Sequence, residues 1–326
     1  MERKVCMTMS LNRRTIAAVA AWALIWCGGI VSAREISWNP EKTQVFAVGL
    51  LRWHDGEAFD SFPGKNRRDA RLVEFFRKAG VPASQIVYLP DRKAKMAAIE
   101  TALRGLLARS EGMQTLVVYY CGHGYESEDD ASKILFAPYD AGIGDVEGWA
   151  VADLVRQIRK EYKGRRVILL ADCCHSGALV AAARSLADRF EVACLASSTA
   201  SASSTGNWTF TEAVLAGFGG DPCVDLNRDG RITFSELQQF TKSEMRFAEE
   251  QTAPGLATPG LENAVLATTV PATHSKIGAH AVVKSEGDLY KGRILDVKND
   301  EFLIWYYGYE DDDCEWVTED RISWKR

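Results

Sequence analysis

The stretch that most constrains this chain is residues 167–177, VILLADCCHSG. An unbroken apolar run, residues 167–171, stops abruptly at Asp172, Cys173, Cys174, His175, Ser176 and Gly177. Such a run fits a strand covered on both faces, as in a parallel sheet. Chemistry in open α/β sheets gathers just beyond the carboxyl ends of such strands. Residues 115–120 form a second apolar run and end in Cys121-Gly122-His123-Gly124. The two ends are expected to meet at one sheet edge, with His123 facing one thiol of the Cys173-Cys174 pair as a catalytic dyad.

The rest of the chain reads as a frame for those two ends. Further strands are expected at residues 43–51, 85–89, 134–137 and 191–196. Helices are expected at 67–79, closed by Gly80, and at 93–108 and 151–162. This alternation predicts an α/β fold: a doubly wound, mostly parallel sheet with helices on both faces. The aperiodic run SSTASASSTGN, residues 197–207, is expected to be a mobile loop beside the site. Thr209 with Glu212 three residues later predicts a capping box at a helix start. Asn207-Trp208-Thr209 also matches a glycosylation sequon, but the capping role already accounts for those residues.

Length and composition narrow the class further. With 326 residues, 47% hydrophobic and 25% charged, the chain fits a soluble protein of about two domains. A net charge of -5 gives no reason to expect a nucleic-acid partner. Arg13 and Arg14 precede an apolar stretch, residues 15–31, that ends in Val31-Ser32-Ala33. Residues 1–33 therefore read as a signal peptide for export, periplasmic or secreted, with an uncleaved membrane anchor as the alternative. Once the leader is removed, no stable membrane insertion is expected. Cys6 and Cys27 belong to this leader. The other six cysteines show no disulfide framework, and Cys194 reads as a core thiol. No Cys-x-x-Cys spacing supports zinc at Cys121, His123, Cys174 and His175.

A cysteine nucleophile needs a base for its proton and donors for the oxyanion, and a thiol, an imidazole and glycine-rich turns supply these parts. YYCGHGYE, residues 119–126, and LLADCCHSG, residues 169–177, resemble the histidine and cysteine motifs of caspase-like peptidases. They are most similar to those of metacaspases, over about residues 43–267. The resemblance implies a caspase-like fold, with Cys174 as nucleophile, His123 as base and acid, and the N-H groups of Gly124 and Cys174 as oxyanion donors. It also implies that Asp172 and, by a looser match, Asp69 line a pocket for a basic side chain. Two arginines, Arg67 and Arg68, interrupt the family pattern before Asp69. Self-cleavage after Arg184 or Arg189 is a further implication of the resemblance. Strand alternation independently sets Asp172 and Cys174 on one face and Cys173 on the other, toward the core.

Residues 225–236 fit the pattern D-x-[DN]-x-[DN]-G-x5-E of a calcium loop. Ca2+ would take oxygens from Asp225, Asn227, Asp229, the Arg231 carbonyl and Glu236, with Gly230 at the sharp turn. No organic cofactor is expected. Residues 271–275 read as a linker after a peptidase domain at 34–270. Residues 276–326 change to short alternating strands and resemble Tudor-like or chromo-barrel units of the SH3-like barrel class. Such units bind cationic side chains in aromatic cages, which puts Tyr290, Tyr307, Tyr309 and Trp316 on a candidate peptide-binding face. The same aromatics could instead fill the core of so small a barrel.

Together these features point to a cysteine endopeptidase that cleaves protein or peptide substrates after Arg or Lys. The rival reading is a catalytically inactive caspase-like scaffold that binds partners, with calcium, through its Tudor-like domain.

Overall fold

The computed structural model describes residues 37–309 and 311–324; the leader read at residues 1–33 lies outside them. Ile36–Arg326 form one compact unit. Among the described residues no helix is long and apolar enough to cross a membrane.

In chain order the first elements are β1 (Thr43–Gly49), α1 (Arg68–Lys78), β2 (Ile86–Pro90), α2 (Met96–Leu107) and β3 (Thr115–Cys121). A small three-stranded antiparallel sheet follows, made of β4 (Gly124–Glu126), β5 (Ile134–Phe136) and β6 (Trp149–Ala150). Next come α3 (Val151–Glu161), β7 (Arg166–Asp172), α4 (Gly177–Ala183), β8 (Glu191–Ala196) and α5 (Thr209–Gly219). The α/β part ends with β9 (Arg231–Thr233), α6 (Phe234–Ala248), β10 (Gly255–Ala257), α7 (Pro259–Glu262) and β11 (Val265–Thr268). The main sheet runs β10-β8-β7-β3-β1-β2, parallel except for the edge strand β10.

Alternation along the strands builds two cores. Phe46, Val48, Val118, Tyr120, Leu169 and Ala171 point one way, onto Ile99 and Leu103 of α2, Leu154 and Ile158 of α3, and Leu179 of α4. Val45, Ala47, Val117, Tyr119, Ile168 and Leu170 point the other way, onto Leu72 and Phe76 of α1, Phe210 and Val214 of α5, and Leu237 of α6. Each of the Val, Leu, Ile and Phe side chains among them, fully buried, contributes roughly 1.5–3 kcal/mol. This is why the central strands read as unbroken apolar runs.

Three local expectations change. β4 and β6 span only three and two residues, too short to show an alternating pattern. α4 begins directly after the Cys174 turn, where the sequence reading placed only a turn. Thr209 is not a cap: α5 starts there, its N-cap is Trp208, and the Thr209 hydroxyl donates to Glu249 while Glu212 pairs with Arg68.

The C-terminal unit is a five-stranded antiparallel sheet of β12 (His280–Ser285), β13 (Asp288–Lys298), β14 (Glu301–Tyr306), β15 (Glu315–Thr318) and β16 (Ile322–Ser323). Val283, Ile294, Phe302, Ile304, Tyr306, Val317 and Ile322 form its own small core.

Candidate active site

The reason the two motif ends meet is register. Cys121, the last residue of β3, pairs with Asp172, the last of β7. The same offset of 51 separates His123 from Cys174, each two residues past these strand ends. Both lie at carboxyl strand ends, beside the point between β1 and β3 where the strand order reverses, as ligand sites in such sheets do. The close approach depends on Gly124. A Cβ there would lie 2.1 Å from the Cys174 carbonyl oxygen and 3.1 Å from Cys173 Sγ, so any side chain would force the two ends apart. Gly122, at φ +151°, makes the turn that leads into His123.

His123 is held by the loop between β1 and α1. Its ring lies among Trp53, Phe62 and Phe59, with centroids at 4.5, 4.7 and 5.6 Å. Its Nε2 is 2.8 Å from the Asp60 carbonyl oxygen. A carbonyl only accepts, so Nε2 carries the proton and Nδ1 is left as the basic nitrogen of the neutral ring. The Tyr120 hydroxyl fixes the His123 backbone by donating to its carbonyl at 2.7 Å. Sequence reasoning missed Asp60, because a backbone acceptor leaves no side-chain signal.

Cys174 is partly exposed, while Cys173 is buried among the residues of the first core. The Ser204 N-H donates to Cys174 Sγ at 3.0 Å. No hydrogen bond joins His123 to Cys174 in this resting arrangement. Ala137 N-H donates to the His123 carbonyl at 3.0 Å, which makes Gly124 and Phe136 a non-hydrogen-bonded pair and leaves the Gly124 N-H outside the ladder. Neither this N-H group nor that of Cys174 has an acceptor among the described residues.

Residues 197–207, expected to be a mobile loop, are instead stitched to the Cys174 turn. Cys173 N-H donates to Ser197 Oγ at 3.1 Å, and Ser198 Oγ donates to the Cys173 carbonyl at 3.0 Å. His175 N-H donates to the Ala202 carbonyl, and its Nδ1 lies 2.9 Å from the Ala200 carbonyl oxygen. His175 thus anchors the loop.

Asp172, Cys174, Ser204, Trp208 and Glu212 line one cleft of about 300 Å³, with Phe62 and Arg68 in its walls. That is the lower end of ligand-sized clefts. Burial pushes the Asp172 carboxyl up to about 6, although the Thr211 and Ser197 hydroxyls pull in the opposite direction. Thr211 donates to Asp172 Oδ2 at 2.6 Å, and the Tyr119 hydroxyl lies 2.7 Å from Thr211 Oγ1. Asp69 requires a correction. It is fully buried behind the cleft, not in its wall, and receives Arg67 at 2.8 Å and the Tyr88 hydroxyl at 2.6 Å. The two extra arginines explain the shift: Arg67 turns inward to neutralise Asp69, and Arg68 takes the cleft-facing place, 2.6 Å from Glu212.

The acidic loop at 225–236 keeps the sharp turn at Gly230, φ +83°, and its strand β9 pairs with β11. Asp225 accepts the N-H groups of Asp229 and Gly230 at 3.1 and 2.9 Å, and Asn227 Oδ1 accepts that of Asp229 at 2.8 Å. Asp229 Oδ1 accepts the Arg231 N-H at 2.8 Å. Glu236 caps α6 through Thr233 N-H at 2.9 Å. Among the described residues no group of three or more His, Cys, Asp or Glu side chains is disposed to hold a metal ion. The loop carboxylates thus turn to backbone amides. Their chemistry still suits a hard cation, since Asp225 and Glu236 are buried and have no cationic partner among the described residues.

The four aromatics read as one face do not gather. Tyr307 turns inward and donates to Glu244 of α6 at 2.6 Å. Trp316 lies under Lys298, 5.2 Å from ring centroid to Nζ. Tyr290 and Tyr309 remain together, at 5.9 Å, and are joined by Tyr306. Gly308 and Tyr309 also line the cleft of Asp172 and Cys174. Sequence distance hid this contribution, because nothing local ties residue 309 to residue 174.

No known protein family matches the chain, and no curated protein matches it. Similar solved structures include a Geobacter sulfurreducens protein from a structural genomics programme, with TM-score 0.46 and 14% identity, covering 70% of this chain and 99% of that chain. Caspase-1 from Spodoptera frugiperda is similar with TM-score 0.46 and 12% identity, covering 73% of this chain and 94% of that chain.

Proposed function

We propose that the chain is an exported cysteine endopeptidase of the caspase and metacaspase class, using His123 and Cys174 and cleaving after arginine or lysine. The observation that carries the reading is the shared offset: the strand register and the His-Cys spacing are both 51 residues. The N-H groups of Gly124 and Cys174, without acceptors among the described residues, support it, as does the carboxylate of Asp172 in the same cleft.

In the proposed reaction the substrate displaces the Ser204 amide from the thiol. His123 Nδ1 takes the Cys174 proton, and the sulfur attacks the peptide carbonyl carbon. The two N-H groups stabilise the oxyanion. The imidazolium then gives its proton to the leaving amine as the C-N bond breaks, leaving a thioester. Water, deprotonated by His123, hydrolyses the thioester and restores the thiol. Asp172 receives the guanidinium or ammonium of the residue preceding the cleaved bond. Calcium held by Asp225, Asn227, Asp229, Glu236 and the Arg231 carbonyl is part of the proposal. Its support is the sequence pattern together with two buried carboxylates, Asp225 and Glu236, that have no cationic partner among the described residues.

Fluorogenic peptides ending in Arg, Lys or Asp, assayed with the full chain with and without calcium, test the reading. Turnover is expected for Arg and Lys, with Cys174→Ala lowering kcat on the order of a thousandfold or more and Cys173→Ala retaining activity. No turnover by the wild type, or equal turnover by Cys174→Ala, would leave the binding-scaffold alternative in its place.

A further inference from the structure

The cleft is not built by the α/β part alone. The connection from β14 to β15 contributes Gly308 and Tyr309 to the same walls as Asp172, Cys174 and Glu212. Gly308, at φ +82°, reverses the chain so that its neighbours serve opposite ends of the interface. Tyr307 is locked onto α6 through Glu244 at 2.6 Å, and Tyr309, 47% exposed, stands at the cleft. Tyr307 N-H also donates to the Lys291 carbonyl at 3.1 Å, and Lys291 Nζ reaches the Ala248 carbonyl at 3.1 Å. The Tyr307 side of the loop is therefore held to α6 by fixed contacts.

Tyr309 belongs to an aromatic trio, with Tyr290 at 5.9 Å and Tyr306 at 6.2 Å, all edge to face. Asp288, Glu286 and Tyr290 share the hairpin from β12 to β13, and desolvation, then the charges of Asp288, Tyr309 and Glu286, raise the Tyr290 phenol. The cleft is lined by two cationic side chains, Lys65 and Arg68, of which Arg68 is paired with Glu212. Ring faces next to carboxylates attract a guanidinium or ammonium group through cation-π and ionic contact.

We propose that Tyr309, with Tyr290, is a specificity-determining contact of the peptidase cleft, taking a lysine or arginine side chain adjacent to the substrate residue read by Asp172. The proposal rests on the peptidase reading and extends it. The C-terminal unit becomes one wall of the substrate site, so the enzyme reads a dibasic segment.

Two measurements on the full chain test this separately from catalysis. In a Cys174→Ala background, fluorescence anisotropy reports binding of a fluorescein-labelled octapeptide with two adjacent arginines, beside a control with one arginine. Adding Tyr309→Ala is expected to weaken the dibasic peptide about two- to fivefold at this exposed ring and to leave the control unchanged. Tyr309→Phe should retain the wild-type value, since the ring face is preserved. In the active chain the same change should raise KM for dibasic fluorogenic peptides and leave kcat unchanged. Equal affinity of Tyr309→Ala and its parent for the dibasic peptide overturns the proposal. Absence of wild-type turnover bears on the peptidase reading alone, because the binding measurement still decides the role of Tyr309.

Discussion

Thr211 donates to Asp172 at 2.6 Å, yet burial still raises that carboxyl to about 6, well above the ordinary Asp value of about 3.9. The native state therefore holds the proton more tightly than the unfolded chain. Stability falls as pH rises between about 4 and 6, and the full penalty of the charge stands above pH 6. Asp172→Asn keeps an acceptor for Thr211 and removes the charge. It should stabilise the fold at pH 7.5 by an amount on the order of 1–3 kcal/mol and should abolish the preference for Arg and Lys substrates. In the wild type KM for such substrates should rise as pH falls through about 6, because the neutral acid no longer attracts a cation. Denaturant midpoints at pH 5 and 7.5, with KM at both, check this; a variant less stable than wild type at pH 7.5 would contradict it. The strand ends at Asp172, before both thiols, so strand alternation does not govern them; Cys173 packs in the core with Leu169 and Ala171, while Cys174 is partly exposed. The place of Asp69 was not legible in the sequence, since whether Arg67 pairs inward depends on Gly49 and Tyr88, which are distant in the chain.

At the scale of elements, α6 joins the two halves of the molecule. Glu244, buried on this helix, receives His280 at 2.7 Å from β12, Arg293 at 2.7 Å from β13, and the Tyr307 hydroxyl at 2.6 Å. Burial pushes the Glu244 carboxyl up, but Arg293 and His280 outweigh it and hold it below the usual range. Phe247 stacks on His280 with centroids at 4.2 Å, and Arg293 lies over Phe240 and Trp305. Removing one member strands the others. Glu244→Ala should cost roughly 3–5 kcal/mol, because Arg293 stays buried without its carboxylate. The double variant Glu244→Leu with Arg293→Leu should lose much less than the two single changes added together. Urea unfolding of the wild type, Glu244→Ala, the two single Leu variants and the double variant measures this, and a loss below about 1 kcal/mol for Glu244→Ala would contradict the role given to the network. Each element here was visible in the sequence, but the pairing was not. Nothing in the sequence around Glu244 or Arg293 ties one to the other, 49 residues apart.

Over the whole molecule, the acidic loop at 225–236, proposed to hold calcium, contacts the segment that leads to the C-terminal unit. Arg228 donates to the Ser275 carbonyl at 3.0 Å, and β9 and β11 form the ladder beneath the loop. An ion bound there only in the folded state would stabilise the entire chain, by about 2.7 kcal/mol at a hundredfold excess over Kd. Calcium should therefore raise Tm by several degrees, and Glu236→Gln should remove most of that rise. A thermal midpoint that calcium does not move would overturn calcium binding at this loop. The α/β frame with helices on both faces of its sheet and the alternating strands of the C-terminal unit were determined by the sequence itself, because apolar runs, alternation and glycine-rich turns are local signals. Only the tertiary structure decided which groups share the cleft. Ser204 on the thiol, the Asp60 carbonyl on His123, Arg68 in place of Asp69 and Tyr309 at the rim all come from segments far apart in the chain. Their meeting depends on strand register and on charge burial between elements, which no stretch of sequence carries alone.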